Sequence, residues 1–127
     1  MTGRQLIKAA KQAQALSYSP YSGFKVGAAL LCKSGKVYTG CNIENASFSA
    51  TVCAERTALF KAVSEGEREF SAIAIVGNTD LCFPCGVCRQ VMSEFCGADF
   101  KIYLEENGKP VTYALGELLP GRFDFKK

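Results

Sequence analysis

Apolar residues recur along the chain with two different periods, which predict helices and strands. Between residues 2 and 16 the apolar positions recur at steps of three and four among basic residues, which predicts an amphipathic helix. Its apolar positions are Leu6, Ala9, Ala10, Ala13 and Leu16. Residues 24–32 and 36–43 are rich in β-branched and small side chains and flank the turn Lys33-Ser34-Gly35, so they predict a β-hairpin.

The remainder of the chain alternates between the two patterns. Thr51 is a candidate N-cap for the second helix, and Val87, Val91, Met92 and Phe95 form the apolar face of the third. The predicted elements after the hairpin are, in order, a helix over 52–65, a strand over 71–77, a helix from Cys85 to Gly97, a strand over 100–104, an edge strand over 111–113 and a helical turn over 115–119. This order indicates the α/β class, with one sheet of mixed direction and helices on its faces.

Composition supports a single globular domain over residues 1–127. The chain is 48% hydrophobic and 21% charged, an average balance for a soluble domain. Its net charge of +3 is too small and too evenly spread to favour a nucleic-acid or membrane surface. The longest apolar stretch, residues 26–32, is far shorter than a membrane span. We therefore expect a small-molecule partner, with no nucleic acid and no membrane.

Zero histidines and seven cysteines restrict the chemistry further. Without histidine there is no Ser-His or Cys-His couple and no histidine zinc ligand, so acid–base work near neutral pH requires a carboxylate. An odd cysteine count with no leading signal peptide favours a reducing compartment, in which clustered cysteines usually bind metal. We expect a cytoplasmic location.

Three cysteines have the spacing of a metal site. Cys85 and Cys88 are three residues apart at the start of a predicted helix, where one turn brings both sulfurs to one side. Cys53 lies at another predicted helix start, where the helix dipole lowers thiol pKa values. Three thiolates at two converging helix ends predict a zinc site, and three protein ligands leave the open fourth position typical of catalysis.

Two residues beside Cys53 complete the predicted centre. A regular helix separates residues two apart by about 200°, so Cys53 must lie at the cap if Glu55 is to project over the metal from the first turn. There Glu55 would act as a proton shuttle. Three thiolates and one Zn²⁺ leave a charge of about −1, and we expect Arg56 to offset it by donating hydrogen bonds to the sulfurs.

Other interpretations of the cysteines are open at this point. Cys85-x-x-Cys88 alone fits a structural zinc knuckle equally well, and Cys82 extends the run toward an iron–sulfur motif whose fourth position is Met92. A non-catalytic zinc or iron–sulfur module is therefore the rival from another class. The remaining cysteines are most simply core thiols, namely Cys32, Cys41 and Cys96.

The motif C-x-E followed about thirty residues later by P-C-x-x-C is typical of zinc-dependent nucleobase and nucleoside deaminases. Five segments, in order over almost the whole chain, resemble the small homotetrameric cytidine deaminases: residues 19–29, 40–46, 53–58, 84–90 and 117–120. The resemblance implies a three-layer fold with a five-stranded mixed sheet and helices on both faces. It also implies one Zn²⁺ per chain and a homotetramer with sites near the subunit interfaces.

The resemblance implies an activity and a set of residue roles. The activity is hydrolytic deamination of cytidine, and of deoxycytidine, to the uridine counterpart plus ammonia, as in pyrimidine salvage. Zinc hydroxide would attack C4 while Glu55 passes protons to the ring nitrogen and the leaving ammonia. The other implied roles are zinc binding by Cys53, Cys85 and Cys88, ribose binding by Asn42 and Glu44, stacking on the base by Phe24, and a hydrogen bond from the Ala54 backbone N–H to the ring carbonyl.

The chain departs from the family pattern in places. Phe83 stands where the family commonly has Ser or Thr, which changes the pocket edge. Phe123 occupies the place of an aromatic residue that, in tetramers of the family, reaches a neighbouring subunit's site, and Phe125 is a nearby competitor for that role. A blasticidin-type deaminase shares the zinc motifs and is the alternative within the enzyme class, but Phe24 and the Asn42-Ile43-Glu44 segment favour a nucleoside.

Overall fold

A five-stranded mixed sheet forms the centre of the fold. The computed structural model describes residues 1–125. The strands are β1 Gly27–Cys32, β2 Val37–Cys41, β3 Phe70–Val76, β4 Lys101–Glu106 and β5 Lys109–Ala114, and they lie in the order β2-β1-β3-β4-β5. Strands β3 and β4 run parallel, and the other neighbouring pairs run antiparallel. The predicted mixed sheet, with its last strand at an edge, is confirmed.

Helices cover both faces of this sheet, as predicted. They are α1 Gly3–Gln14, α2 Ala54–Ser64, α3 Gly86–Phe95 and α4 Leu115–Leu118, with a 3-10 turn at Phe48–Ala50. On one face, α1 packs against the small side chains of β1 and β3. On the other face, α2 and α3 cover a larger apolar cluster built around Leu30, Ile73 and Ile75. Within the described residues, no helix combines the length and the apolar character needed to cross a membrane.

Helix α1 is shorter than its apolar pattern predicts. It begins at a capping box, in which Gln5 N donates to Thr2 Oγ1 (3.2 Å) and Thr2 N donates to Gln5 Oε1 (2.8 Å). The helix ends at Gln14, and Leu16, predicted to lie on its apolar face, is 78% exposed. The chain leaves the helix because Tyr18 N bonds to Asn42 O, which draws it toward the end of β2.

Two further details of the predicted helices were wrong. Thr51 is not the N-cap of α2, because its Oγ1 accepts a hydrogen bond from Asn45 N (3.1 Å) in the preceding loop. Cys53 occupies the N-cap instead. Val87, placed on the apolar face of α3, is 58% exposed, whereas Cys88 and Met92 are the buried residues of that helix.

A glycine on β2 sets the position of α2. A Cβ atom on Gly40 would lie 2.6 Å from both Ala54 O and Ala58 N, so the helix backbone rests directly on the strand. This close contact fixes the N-terminal end of α2, where Cys53 and Glu55 lie.

We expect Gly40→Ala to move α2 away from the sheet and to weaken the metal site together with the fold. Overpacking of this kind costs about 1–3 kcal/mol. The free energy of unfolding and the zinc affinity should both fall, as measured by urea titration and by competition with a chelator. Gly97→Ala is the control, since its Cβ would meet only the carboxylate of Asp99 at 3.0 Å. Equal zinc affinity in the two variants would contradict this account.

Candidate metal centre and the adjoining cavity

Three thiols converge at the N-terminal ends of two helices. Cys53 is the N-cap of α2, Cys85 is the N-cap of α3, and Cys88 is buried in the first turn of α3. Their sulfur atoms all lie within 4.8 Å of one another, and the Sγ atoms of Cys53 and Cys85 are 3.8 Å apart. Tetrahedral zinc with Zn–S bonds of about 2.3 Å requires sulfurs about 3.8 Å apart, so the donor set fits one such ion.

The pKa values of the Cys53 and Cys88 thiols are shifted in opposite directions. The pKa of Cys53 is lowered to about 5, first by a hydrogen bond from the Cys88 thiol and then by Arg56 and Cys85, although burial opposes the shift. The pKa of Cys88 is strongly raised because its thiol bonds to Cys53, is buried and faces the charges of Glu55 and Cys53. The Cys88 thiol therefore keeps its proton in the metal-free site, and it must lose that proton to bind a metal ion.

Arg56 lies against the sulfurs. Its Nη2 donates to Cys53 Sγ at 3.3 Å, the kind of contact expected of a residue that draws charge from a thiolate. Its Nε is buried without a hydrogen-bond partner among the residues that the structure describes. The Cys53 sulfur therefore orients the guanidinium through Nη2, and the Nε hydrogen remains available for another acceptor.

Glu55 is the buried carboxyl of the site. It lies in the first turn of α2, where the spacing to Cys53 placed it, and it is 5% exposed. Burial raises its pKa to about 7, with help from the negative charge of Cys53 and against the opposing charge of Arg56. A carboxyl that titrates near neutral pH can both accept and release a proton at that pH.

A cavity of about 240 Å³ opens beside the thiols. Its lining residues are Phe24, Val26, Asn42, Thr51, Val52, Cys53, Ala54, Glu55, Cys82, Phe83 and Cys85. Most of the residues singled out in the sequence therefore meet in one place. Glu44 does not line this cavity. It lines an adjoining one of about 440 Å³ with Tyr21 and Phe48, and Thr51 borders both.

Asn42 and Glu44, the two predicted ribose ligands, already hold parts of their own chain. Asn42 Oδ1 accepts from Val26 N (2.9 Å) and from Ser17 Oγ, and Nδ2 donates to Phe24 O (2.8 Å). One Nδ2 hydrogen of Asn42 remains for a ligand. The Glu44 carboxylate accepts from Tyr21 N, Ser22 N and Ser22 Oγ, and the Ser22 hydroxyl is the first cause of its lowered pKa.

The fourth nearby cysteine does not join the metal-binding group. Among residues 1–125, the cluster able to hold a metal ion consists of Cys53, Cys85 and Cys88. Cys82 instead lines the cavity wall, and burial raises its pKa to about 11. The iron–sulfur interpretation of the C-x-x-C-x-x-C run therefore has no support in the geometry. Of the thiols expected in the core, Cys32 is buried, whereas Cys41 and Cys96 are half-buried.

The sequence did not indicate the role of Arg89, which lies on α3. Arg89 looked like an exposed helix charge, but its Nε donates to Pro84 O (2.7 Å) and its Nη1 to Leu118 O (2.6 Å), which ties the loop before Cys85 to α4.

Phe83 is 42% exposed and packs edge-on against Tyr113. Phe123 and Phe125 are both largely exposed, and neither lines the cavity of its own chain.

Comparison with known proteins agrees with this geometry. The family model described as "Cytidine and deoxycytidylate deaminase zinc-binding region" matches residues 2–104. A cytidine deaminase from Halalkalibacterium halodurans is 56% identical over 125 residues, which cover 97% of this chain and 95% of the relative. A crystal structure of cytidine deaminase from Burkholderia pseudomallei superposes with a TM-score of 0.92 at 50% identity, covering 97% of this chain and all of that one.

A blasticidin-S deaminase from Bacillus cereus is a weaker match, 34% identical over 107 residues that cover 77% of this chain and 76% of the relative. The fold and the three-thiol centre define the class, that of α/β proteins with a zinc-binding deaminase domain. The chain belongs to the cytidine and deoxycytidylate deaminase family.

We expect zinc binding to release at least one proton per chain, because the Cys88 thiol must give up its hydrogen to bind metal. Zinc affinity should therefore rise with pH. Calorimetric titration of the metal-free chain in buffers of different ionisation enthalpy measures the proton count. Cys88→Ser should lower zinc affinity steeply, whereas Cys41→Ser, which lies outside the cluster, should not. Zinc binding without proton release, or equal losses of zinc affinity in the two variants, would show that the cluster is wrongly assigned.

Proposed function

We propose that the chain catalyses the hydrolytic deamination of cytidine and deoxycytidine to uridine and deoxyuridine, releasing ammonia. The observation that carries this proposal is the buried Glu55 carboxyl, with its pKa near 7, in a cavity that also contains the cysteine cluster. That pairing supports an enzyme over a metal module with a purely structural role. A structural site would have a closed set of ligands and no need of a buried proton carrier.

Cys53, Cys85 and Cys88 are the residues that would hold zinc in this proposal. Zinc held there supplies the Lewis acidity that activates water for attack at C4 of the base. Arg56 donates to the Cys53 sulfur and so draws negative charge away from the metal ligands.

Glu55 moves the protons. One carboxylate oxygen accepts a proton from the attacking water, and the resulting carboxyl gives it to the ring nitrogen next to C4. The carboxylate then takes the second proton from the new hydroxyl group and passes it to the leaving amino group, which departs as ammonia. Both transfers require a group whose two protonation states are close in free energy at neutral pH, and burial gives Glu55 that property.

The walls of the cavity would orient the nucleoside. Phe24 offers an aromatic face to the base, and the backbone N–H of Ala54 would bind the ring carbonyl. Asn42, whose Nδ2 keeps one hydrogen for a ligand, lines the same cavity. Because the second cavity shares Thr51 with the first, a base bound beside Glu55 would leave its sugar within reach of Asn42 and Glu44.

The charge of Glu44 favours nucleosides over nucleotides. Its hydrogen bonds from Ser22 and Tyr21 lower the pKa of the carboxyl, so it is anionic at neutral pH. A phosphate placed next to this carboxylate would be repelled. The higher identity to cytidine deaminases than to the blasticidin-S deaminase supports the nucleoside as the substrate.

The activity is tested by following the ultraviolet absorbance of cytidine in the presence of zinc-loaded enzyme. We expect turnover of cytidine and deoxycytidine, with cytidine monophosphate and blasticidin S processed more slowly. Glu55→Gln should lower kcat by about 10²–10⁴-fold, the usual contribution of a positioned acid–base group, while zinc is retained. Glu94→Gln, an exposed carboxyl on α3, is the matched control. An inactive zinc-loaded wild type, or a fully active Glu55→Gln variant, would refute the mechanism.

We further propose that the chain is one domain over residues 1–127, forms a homotetramer and works in the cytoplasm in pyrimidine salvage. Large, exposed aromatic side chains lining the second cavity support the assembly: Phe48 is 88% exposed and Tyr21 is 64% exposed. Phe123 is 69% exposed, and its carbonyl is held by Gln90 Nε2. In a tetramer, Phe123 would close the cavity of a neighbouring subunit.

We expect Phe123→Ala to lower kcat/KM for cytidine by up to about tenfold, the range of one aromatic contact, without loss of zinc. Phe125→Ala is the matched variant. Mixed oligomers of Phe123→Ala and Glu55→Gln subunits should recover activity, because an intact Glu55 then meets an intact Phe123 from the other chain. Unchanged kcat/KM in both phenylalanine variants would rule out the shared site.

A further inference from the structure

Four hydrogen bonds from two asparagine side chains hold the segment of residues 23–26, which carries Phe24. Asn42 bonds to Phe24 O through Nδ2 (2.8 Å) and to Val26 N through Oδ1 (2.9 Å). Asn78 bonds to Lys25 N through Oδ1 (3.0 Å) and to Gly23 O through Nδ2 (3.3 Å). The bonds of consecutive residues alternate between the two amides, which is the pattern of a backbone flanked by two strands.

The two amides extend the sheet beyond its backbone pairing. β1 begins at Gly27 and lies between β2 and β3. Asn42 directly follows β2, and Asn78 lies two residues beyond β3. On the β2 side one backbone bond continues, from Asn42 N to Val26 O (3.3 Å), and the Asn42 side chain adds a donor and an acceptor to it. On the β3 side the Asn78 side chain supplies both the donor and the acceptor.

The Phe24 ring also packs against the segment that follows β3. A Cβ atom on Gly77 would lie 3.0 Å from Phe24 Cε1 and 2.7 Å from Cys82 Sγ, so the ring packs close to the Gly77 backbone. The dipeptide Gly77-Asn78 thus contacts both the ring and the backbone flanking Phe24. Asn78 itself does not line the cavity, whereas Asn42 does.

We propose that Asn78 is a positioning residue for the reaction: it holds the Phe24 segment so that the ring stacks on the base. This inference rests on the proposed function. Replacing Asn78 by Ala leaves Gly23 O and Lys25 N to water, frees one edge of the segment and lets the ring leave its stacking position. Asn42 would remain to hold the other edge, so the fold and the metal site persist.

The test is a double-mutant cycle between Asn78 and Phe24 on zinc-loaded enzyme. We expect Asn78→Ala to raise KM for cytidine by about three- to tenfold, the range of one lost aromatic contact, with a smaller change in kcat. In a Phe24→Ala background the same substitution should change KM by less than about twofold, because its effect passes through the ring. Zinc content should match that of the wild type.

The control is Ser34→Ala, which removes hydrogen bonds to Glu67 and Lys36 N at the opposite end of β1 and should leave KM unchanged. If Asn78→Ala does not yield folded, zinc-loaded protein, Asn78→Asp is used in the same cycle, since it keeps the acceptor for Lys25 N. A KM equal to that of the wild type, or equal KM changes with and without the Phe24 ring, would overturn the inference. Wild-type turnover is measured first, and its absence would contradict the proposed function instead.

Discussion

The structure depends on bringing two helix N-termini to one point. Three thiolates and a carboxylate within a small volume would repel one another, and the N-terminal ends of α2 and α3, with their unpaired N–H groups and positive dipole ends, lie where they offset that repulsion. The sheet determines where the helices can end: the backbone of α2 rests on Gly40, and Arg89 anchors the loop that leads into α3. The layered fold thus provides a fixed frame for a cluster that would not assemble by itself.

Local features of this arrangement could be predicted from the sequence, and long-range ones could not. The two-residue spacing of Cys53 and Glu55 admits one placement on a helix start, and the structure has it. Thr51 was misplaced because its hydroxyl is taken by a loop residue six positions earlier, and Val87 because the sheet and the neighbouring helices cover the opposite side of α3. Asn78 gave no signal at all, since its partners lie 53 and 55 residues earlier. Periodicity predicts which face of an element is apolar, but it does not reveal a hydrogen bond across the fold.

Burying Glu55 reduces the stability of the fold. Its pKa rises from an ordinary 4.5 to about 7, so between these values the metal-free folded state binds more protons than the unfolded chain. The contribution of this group to stability therefore falls as pH increases through that window. A stable fold alone would be better served by an apolar residue at this position, whereas proton transfer at neutral pH requires the carboxyl.

The low pKa of Cys53 also makes this sulfur susceptible to oxidation when no metal is bound. Thiolates react with peroxides and disulfides far faster than thiols do, and in the metal-free chain Cys53 is a thiolate at neutral pH with the Cys85 sulfur 3.8 Å away. Cys82, whose pKa is about 11, stays protonated and comparatively inert in the same cavity. A metal bound at this site would therefore shield the Cys53 sulfur, whereas the metal-free chain is open to oxidation at a residue that should bind the ion.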